Sequence, residues 1–219
     1  MPRKTLITRI GAAILTMFAL SFAVAACSSD DSDSNSVSTE PVAMIDPVTG
    51  VDTQVTLDAG FVDALTQLKV APGPVGKATI SEDGVAAFPI TGGDVTYYDP
   101  KSDVRPFVTG NLMHDGSGLS LTAGKTKVEL TDFVVDPGTS ELTGTVSVNG
   151  EEAASGALLF DLDGSTLKPL QSNPDGSATL AGTTVKLSDD AAGLLNDTFG
   201  INDLAGGLVV GISSITVKG

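Results

Sequence analysis

Histidine occurs once in this chain, at His114, so any imidazole chemistry has to run through that position. It falls in Gly110-Asn-Leu-Met-His114-Asp-Gly-Ser-Gly118, with Asp115 and Ser117 close by. A hydrolytic triad built here would use His114 as the base, with Ser117 or Asp115 as its partners. No Gly-x-Ser-x-Gly elbow occurs anywhere in the chain to present a nucleophile. Adjacent residues at a strand end also project in opposite directions. An envelope hydrolase using His114 is one reading of these residues; a polar side chain flanking a turn is the plainer one.

Two other groups of residues carry chemistry. Tyr97 and Tyr98 are the only tyrosines, in Asp94-Val-Thr-Tyr-Tyr-Asp99. On a strand one of them faces the core and the other faces solvent. Together with His114 they supply the residue types of axial haem ligation, a Tyr ligand with a His neighbour. Asp161-Leu-Asp163-Gly-Ser165 resembles half of a calcium loop, but position twelve, which needs a bidentate acid, is Ser172. Asp161 and Asp163 therefore read as water-facing acids of a turn, with weak calcium binding as the alternative. No glycine-rich loop matches a Walker or dinucleotide pattern.

The single cysteine, Cys27, has a different use. Residues 1–26 begin with three bases (Arg3, Lys4 and Arg9), continue through an uncharged stretch from Ile10, and end in small side chains. That is the order of a secretory signal, and the apolar stretch is shorter than the ~20 residues a spanning helix needs. Val24-Ala25-Ala26-Cys27 resembles the lipobox of bacterial lipoproteins. The resemblance implies acylation of the Cys27 thiol, as by palmitate, cleavage before Cys27, and acylation of the freed amine. Two or three chains anchor stably, at about 0.8 kcal/mol per buried methylene. Lipidation would also deny the domain disulfides, thiol catalysis and cysteine-based zinc sites. Residues 27–40 then form the lipidated cysteine and an acidic tether too polar to fold, leaving 41–219 as one domain. The expected location is the outer face of a cell membrane.

The leader takes three of the 12 Lys and Arg and none of the 27 acids, so the mature chain is more acidic than the whole chain's net charge of −15. Such a surface repels phosphate backbones, which argues against nucleic acid as a partner. The chain has 25 Gly, 11 Pro and no Trp, and short alternating runs between turn signals predict a mainly β fold, an antiparallel sandwich or barrel-like domain. Strands are expected at 53–57, 76–80, 84–90, 94–98, 105–113, 119–122, 126–135, 142–149, 151–161, 177–180, 183–187 and 208–218. Asn149-Gly150 is the clearest hairpin turn. Two short capping helices are expected at about 58–69 and 189–199. Asp58 and Ser188 would be the N-caps, and Gly200 would follow the second. The first helix would turn Phe61, Val62, Leu65 and Leu68 inward, and the second Ala191, Leu194, Leu195 and Phe199. An internal echo, Thr53-Gln-Val-Thr-Leu57, Thr126-Lys-Val-Glu-Leu130 and Thr183-Thr-Val-Lys-Leu187, is either good strand sequence used three times or a mark of internal pseudo-symmetry.

Within 110–150, the pattern Gly-x-x-x-His-x-Gly, then Gly-Leu-Ser-Leu, then Val-Glu-Leu-Thr-Asp-Phe-Val-Val-Asp distantly resembles the Htaa domain of actinobacterial haem-uptake proteins. That resemblance implies a β-rich fold and haem bound through a Tyr and a nearby His. It covers about forty residues, and only His114 transfers to a matching position. The whole mature chain is similar to actinobacterial exported lipoproteins, a class that implies no activity. Two functions besides the hydrolase follow. One is a non-enzymatic binding or scaffold module of the cell envelope, meeting an envelope protein. The other is a carrier of a hydrophobic ligand, haem or lipid, in an internal cavity. A closed apolar cavity above roughly 300 Å³ would favour the carrier.

Overall fold

The computed structural model describes residues 39–219. The leader, the lipobox with Cys27, and the tether up to residue 38 lie outside the described residues. From there the chain forms β1 (Pro41–Ile45), β2 (Gly50–Leu57), α1 (Ala59–Gln67), β3 (Ala71–Gly76), β4 (Thr79–Ile80), β5 (Val85–Pro89) and β6 (Gly92–Tyr98). It continues with β7 (Val108–Ala123), β8 (Thr126–Asp136), β9 (Glu141–Val148), β10 (Glu151–Asp163), β11 (Gln171–Ser172), β12 (Ala178–Leu187), α2 (Asp189–Phe199) and β13 (Val209–Lys218). The strands join one 13-stranded antiparallel sheet in the order β1-β6-β7-β8-β9-β10-β12-β13-β2-β5-β4, with β3 added on β7 and β11 on β12. Its ends, β1 and β4, do not pair with each other, so the sheet folds over like a sandwich and does not close into a barrel. Among the described residues no helix is long and apolar enough to cross a membrane.

Local chemistry explains most element ends. Asn149 and Gly150 take the two positive φ angles (53° and 87°) that join Val148 directly to Glu151. Asp58 Oδ1 accepts from the Gly60 and Phe61 amides, and Ser188 Oγ accepts from Ala191 N, so each helix has its expected N-cap. Gly200 closes α2 in the left-handed conformation. Phe61 and Leu65 of α1 and Ala191, Ala192 and Leu195 of α2 enter the core. Val62, expected inward, remains 39% exposed, because a helix of nine residues buries only a narrow stripe. Phe133 stands at the centre of the core, edge-on to Phe88 at 5.3 Å and to Phe160 at 6.3 Å.

Three differences from the sequence pattern matter to the site. The runs 108–113 and 119–122 are parts of one strand, β7, whereas 105–107, expected to open the first run, precede it. The Gly-rich stretch between them is a bulge, where the register with β8 shifts between His114 and Gly118. The segment after α1, which reads as a helix stop followed by a strand at 76–80, is strand β3 from Ala71, with β4 separate. Its prolines are tolerated because β3 pairs only with β7. The runs 178–180 and 183–187 are likewise one strand, β12, which starts one residue after the expected Ser177 and is not broken by its irregularity at Gly182.

The bulge on β7 faces a second irregularity on β8, between Thr131 and Val134. Asp132 lies in that second bulge at φ 52° and ties the two together, its Oδ1 accepting from Gly116 N at 2.8 Å and its Oδ2 from Thr131 Oγ1 at 3.0 Å. One half of β7 pairs with β6 and the other with β3, so the bend at 114–118 divides the strand between two parts of the sheet. In Asp132→Ala the amide of Gly116 loses its charge-assisted partner, and a Cβ without a polar group remains in the left-handed region. Urea denaturation should show a loss of about 1–2 kcal/mol. Asp132→Gly, which relieves the backbone while still losing the bond, should lose less; equal losses would mean that backbone conformation is not part of the cost.

Candidate functional site

His114 continues the inward alternation of Leu112 along β7 and enters the core just before the bulge, where it is 1% exposed. Its Nδ1 lies 3.1 Å from the Phe133 carbonyl on β8, and its Nε2 lies 2.8 Å from Thr53 Oγ1 on β2. A carbonyl only accepts, so Nδ1 carries the proton and donates to Phe133 O. Burial pushes the imidazole pKa below its ordinary 6.5, which outweighs the raising effects of the Phe133 carbonyl and the Asp115 charge. The ring is therefore neutral, Nε2 is an acceptor, and the Thr53 hydroxyl donates to it. Thr53 is 5% exposed, and β2 is not a sheet neighbour of β7, so this bond crosses the core from one part of the sheet to another.

Beside this pair lies a cavity of about 390 Å³. Strands from across the sheet line it, with Ile45, Val55, Val95, Leu112, Leu142, Leu180, Val185 and Ile215 among the apolar side chains. A smaller apolar space of about 40 Å³ holds His114 in its wall, together with Phe88, Phe133 and Phe160. Thr53, Val55, Val135, Leu142 and Val185 line both spaces, so they adjoin at Thr53. The polar groups on the larger cavity are few. Ser213 is 4% exposed and Tyr97 is 7% exposed, and neither hydroxyl makes a hydrogen bond among the described residues. Arg105 lies at the rim, with its guanidinium donating to the carbonyls of Pro100, Ser102 and Val104.

The residues singled out by chemistry fall in separate places. Tyr97 is in the wall of the larger cavity, edge-on to Phe107 at 6.1 Å. Tyr98 is half-buried and does not line it. Neither tyrosine hydrogen-bonds to His114, whose ring nitrogens are taken by Thr53 and Phe133. The Tyr-with-His arrangement for haem is thus not assembled from these three residues. His114 would have to break a buried hydrogen bond to reach iron, and Tyr97 has no imidazole behind it.

The hydrolase arrangement does not form at these residues either. Ser117 is buried, and its hydroxyl donates to the His114 backbone carbonyl at 3.0 Å, away from the ring. Asp115 is exposed. Asp163 is engaged by Lys186 at 2.7 Å and by Ser165 N at 2.9 Å, and the Lys186 bond holds its carboxyl well below the usual carboxylate range. Its oxygens are used within the protein, and among the described residues no group of three His, Cys, Asp or Glu side chains converges to hold a metal.

Two residues of the site escaped the sequence reading, Thr53 and Ser213. Thr53 opens the first copy of the Thr-x-Val-x-Leu echo. Thr183 opens the last copy, and it too lines the cavity. Those copies lie in β2 and β12, the two neighbours of β13, and each strand runs into one of the capped helices. Ser213 is on β13 between them, in register with Val55 on one side and Thr183 on the other. The echo therefore marks two strands of the cavity wall, a signal that strand propensity alone concealed.

No protein-family model matches the chain, and no curated protein sequence matches it. Among solved structures it is similar to the C-terminal domain of HtaA from Corynebacterium glutamicum, with a TM-score of 0.51 and 14% identity over 78% of this chain and 97% of that one. It is also similar to the domain-swapped dimer of a histidine-to-alanine variant of the same domain, with a TM-score of 0.44 and 13% identity over 74% and 92% of the two chains. At such identity the first likeness establishes the fold, and it agrees with the resemblance of residues 110–150.

The neutral imidazole has a measurable consequence. Below about pH 6.5 the unfolded chain takes up a proton that the folded chain refuses, so stability falls as pH falls, down to the folded-state pKa. One such group contributes a slope of at most ~1.4 kcal/mol per pH unit. His114→Gln keeps a donor for Phe133 and an acceptor for Thr53 but does not titrate. Between pH 7.5 and pH 5, urea midpoints should fall further in the parent protein than in His114→Gln; parallel pH profiles would contradict a buried neutral ring.

Proposed function

We propose that this domain is a non-enzymatic carrier, which holds an apolar small molecule in the cavity of about 390 Å³ between its folded sheet layers. The cavity itself carries the reading. Its volume exceeds the roughly 300 Å³ of a small ligand site, and it opens to the surface beside the exposed residues Arg105, Pro106, Gly164 and Ser165, so it is a deep pocket and not a closed chamber. Its walls are built mainly from Val, Leu and Ile, with a few hydroxyls to orient a guest. A filled core would have supported the scaffold reading instead. The single imidazole is held in structural hydrogen bonds, which leaves the site as a container rather than a reaction centre. Haem is a weaker fit than another apolar guest, because the paired Tyr and His ligands are not brought together.

The location we propose is the outer face of a cell membrane, with Cys27 lipidated and the acidic segment up to residue 40 as a spacer. The support is the order of basic, apolar and small residues before Val24-Ala25-Ala26-Cys27. In that position a carrier would take up or release apolar molecules near the bilayer without docking onto its anionic headgroups, which the net charge of −15 opposes.

N-phenyl-1-naphthylamine, a neutral fluorophore that brightens in apolar surroundings, tests the cavity, and the absence of tryptophan leaves a clean background. The parent protein should bind it. Ala178→Trp, which fills space at the cavity wall, should lower the affinity about tenfold or more while the melting temperature stays within a few degrees. Unchanged binding in that variant would place the dye elsewhere and remove the carrier reading. Hemin should give no Soret band that is lost in Tyr97→Phe or Tyr98→Phe; a band lost in either would establish a haem carrier. For the anchor, labelling cells with an alkyne fatty acid should mark the parent protein and not Cys27→Ser, and equal labelling would exclude acylation at Cys27.

A further inference from the structure

The carrier reading leaves open which apolar molecule is held, and the hydrogen bonds at Thr53 bear on that choice. Phe133 O accepts from His114 Nδ1, and His114 Nε2 accepts from the Thr53 hydroxyl at 2.8 Å. The one proton that Thr53 can donate is thereby committed to the core. Only the lone pairs of its oxygen remain, and Thr53 belongs to the wall of the larger cavity as well as the smaller. A hydroxyl normally offers both donor and acceptor; here the buried imidazole makes Thr53 an acceptor only.

Across β13, Ile215 pairs with Thr53 and Ser213 pairs with Val55, so Ser213 is the diagonal neighbour of Thr53 on the adjacent strand. Ser213 lines the same cavity, is 4% exposed, and has a hydroxyl without a hydrogen bond among the described residues. Its hydroxyl is free to donate. The apolar cavity thus presents a fixed acceptor next to an available donor, both more than nine-tenths buried.

We infer that the site selects apolar molecules bearing a hydroxyl group, which donates to Thr53 Oγ1 and accepts from Ser213 Oγ. This rests on the carrier reading and narrows it to a ligand class, long-chain or polycyclic alcohols. A carboxylate or an ether of the same size would set an acceptor against the Thr53 lone pairs, and a carboxylate would also bury its charge in an apolar chamber. A plain hydrocarbon would leave Ser213 unpaired.

Displacement of N-phenyl-1-naphthylamine by 1-dodecanol, its methyl ether and dodecanoate at pH 8 tests the selection. The alcohol should displace the dye about tenfold more effectively than the ether or the carboxylate, the size expected when a buried hydrogen bond is made in one case and forbidden in the others. Thr53→Val should abolish the preference for alcohol over ether, and Thr53→Ser should preserve it. Equal displacement by alcohol and ether in the parent protein would overturn the inference, as would a preference that survives Thr53→Val. Should Thr53→Val not fold, the ranking of the three competitors in the parent protein decides the matter. Absence of dye binding would instead defeat the carrier reading itself, so the two failures are distinguishable.

The proton placement has its own readout, since the chain contains one imidazole. A long-range ¹H–¹⁵N spectrum at pH 7.5 should show Nδ1 protonated and Nε2 unprotonated. The opposite tautomer would make Thr53 an acceptor from the ring, free its proton for the ligand, and reverse the expected selectivity.

Discussion

The neutral imidazole of His114, bonded to Phe133 O on one side and Thr53 Oγ1 on the other, is the interaction around which this domain is arranged. A ring buried this deeply is tolerated only when both nitrogens are satisfied, because an unpaired polar group in such a core costs ~1–3 kcal/mol. Satisfying both requires two separate regions of the sheet to meet. The β8 carbonyl is adjacent to β7, whereas Thr53 belongs to β2, which is distant from β7 in the strand order. The imidazole therefore acts as a cross-layer tie, and it fixes which faces of the folded sheet look at each other.

Backbone irregularity begins right beside that meeting. The facing bulges on β7 and β8, tied together by Asp132, follow directly on the imidazole, which strand alternation with Leu112 already turns inward. Phe133 packs against Phe88 and Phe160 on the inner side of the same bulge. Away from this aromatic cluster the layers are bridged by smaller Val, Leu and Ile side chains, and the larger cavity opens there. The tie and the cavity are thus two consequences of one fold: dense aromatic packing at one position and looser packing beside it.

The same bonds decide what the site is suited to do. An imidazole whose Nδ1 proton is committed to a carbonyl and whose Nε2 lone pair is engaged by a hydroxyl is poorly placed for general base work or iron ligation. It also fixes the direction of the Thr53 hydroxyl, which lines the cavity.

Sequence alone determined the features that depend on neighbours along the chain. Alternation predicted most strands, Asn149-Gly150 its hairpin, and Asp58 and Ser188 their helices, because caps and tight turns are set by a few consecutive residues. It also singled out His114, Tyr97 and Tyr98 as candidate ligand residues, without separating the tyrosine on the cavity wall from the one off it. It did not reveal that Gly116 and Gly118 bend a continuous strand rather than end one, since glycine serves both purposes and only the pairing with β8 distinguishes them. Nor did it reveal Thr53 as the partner of His114, 61 residues away. Nothing local marks that partnership; it exists because β2 and β7 face each other across the core. The cavity, the acceptor-only character of Thr53 and the separation of His114 from both tyrosines belong to that tertiary meeting, where side chains distant in sequence compete for the same buried space and the same hydrogen bonds.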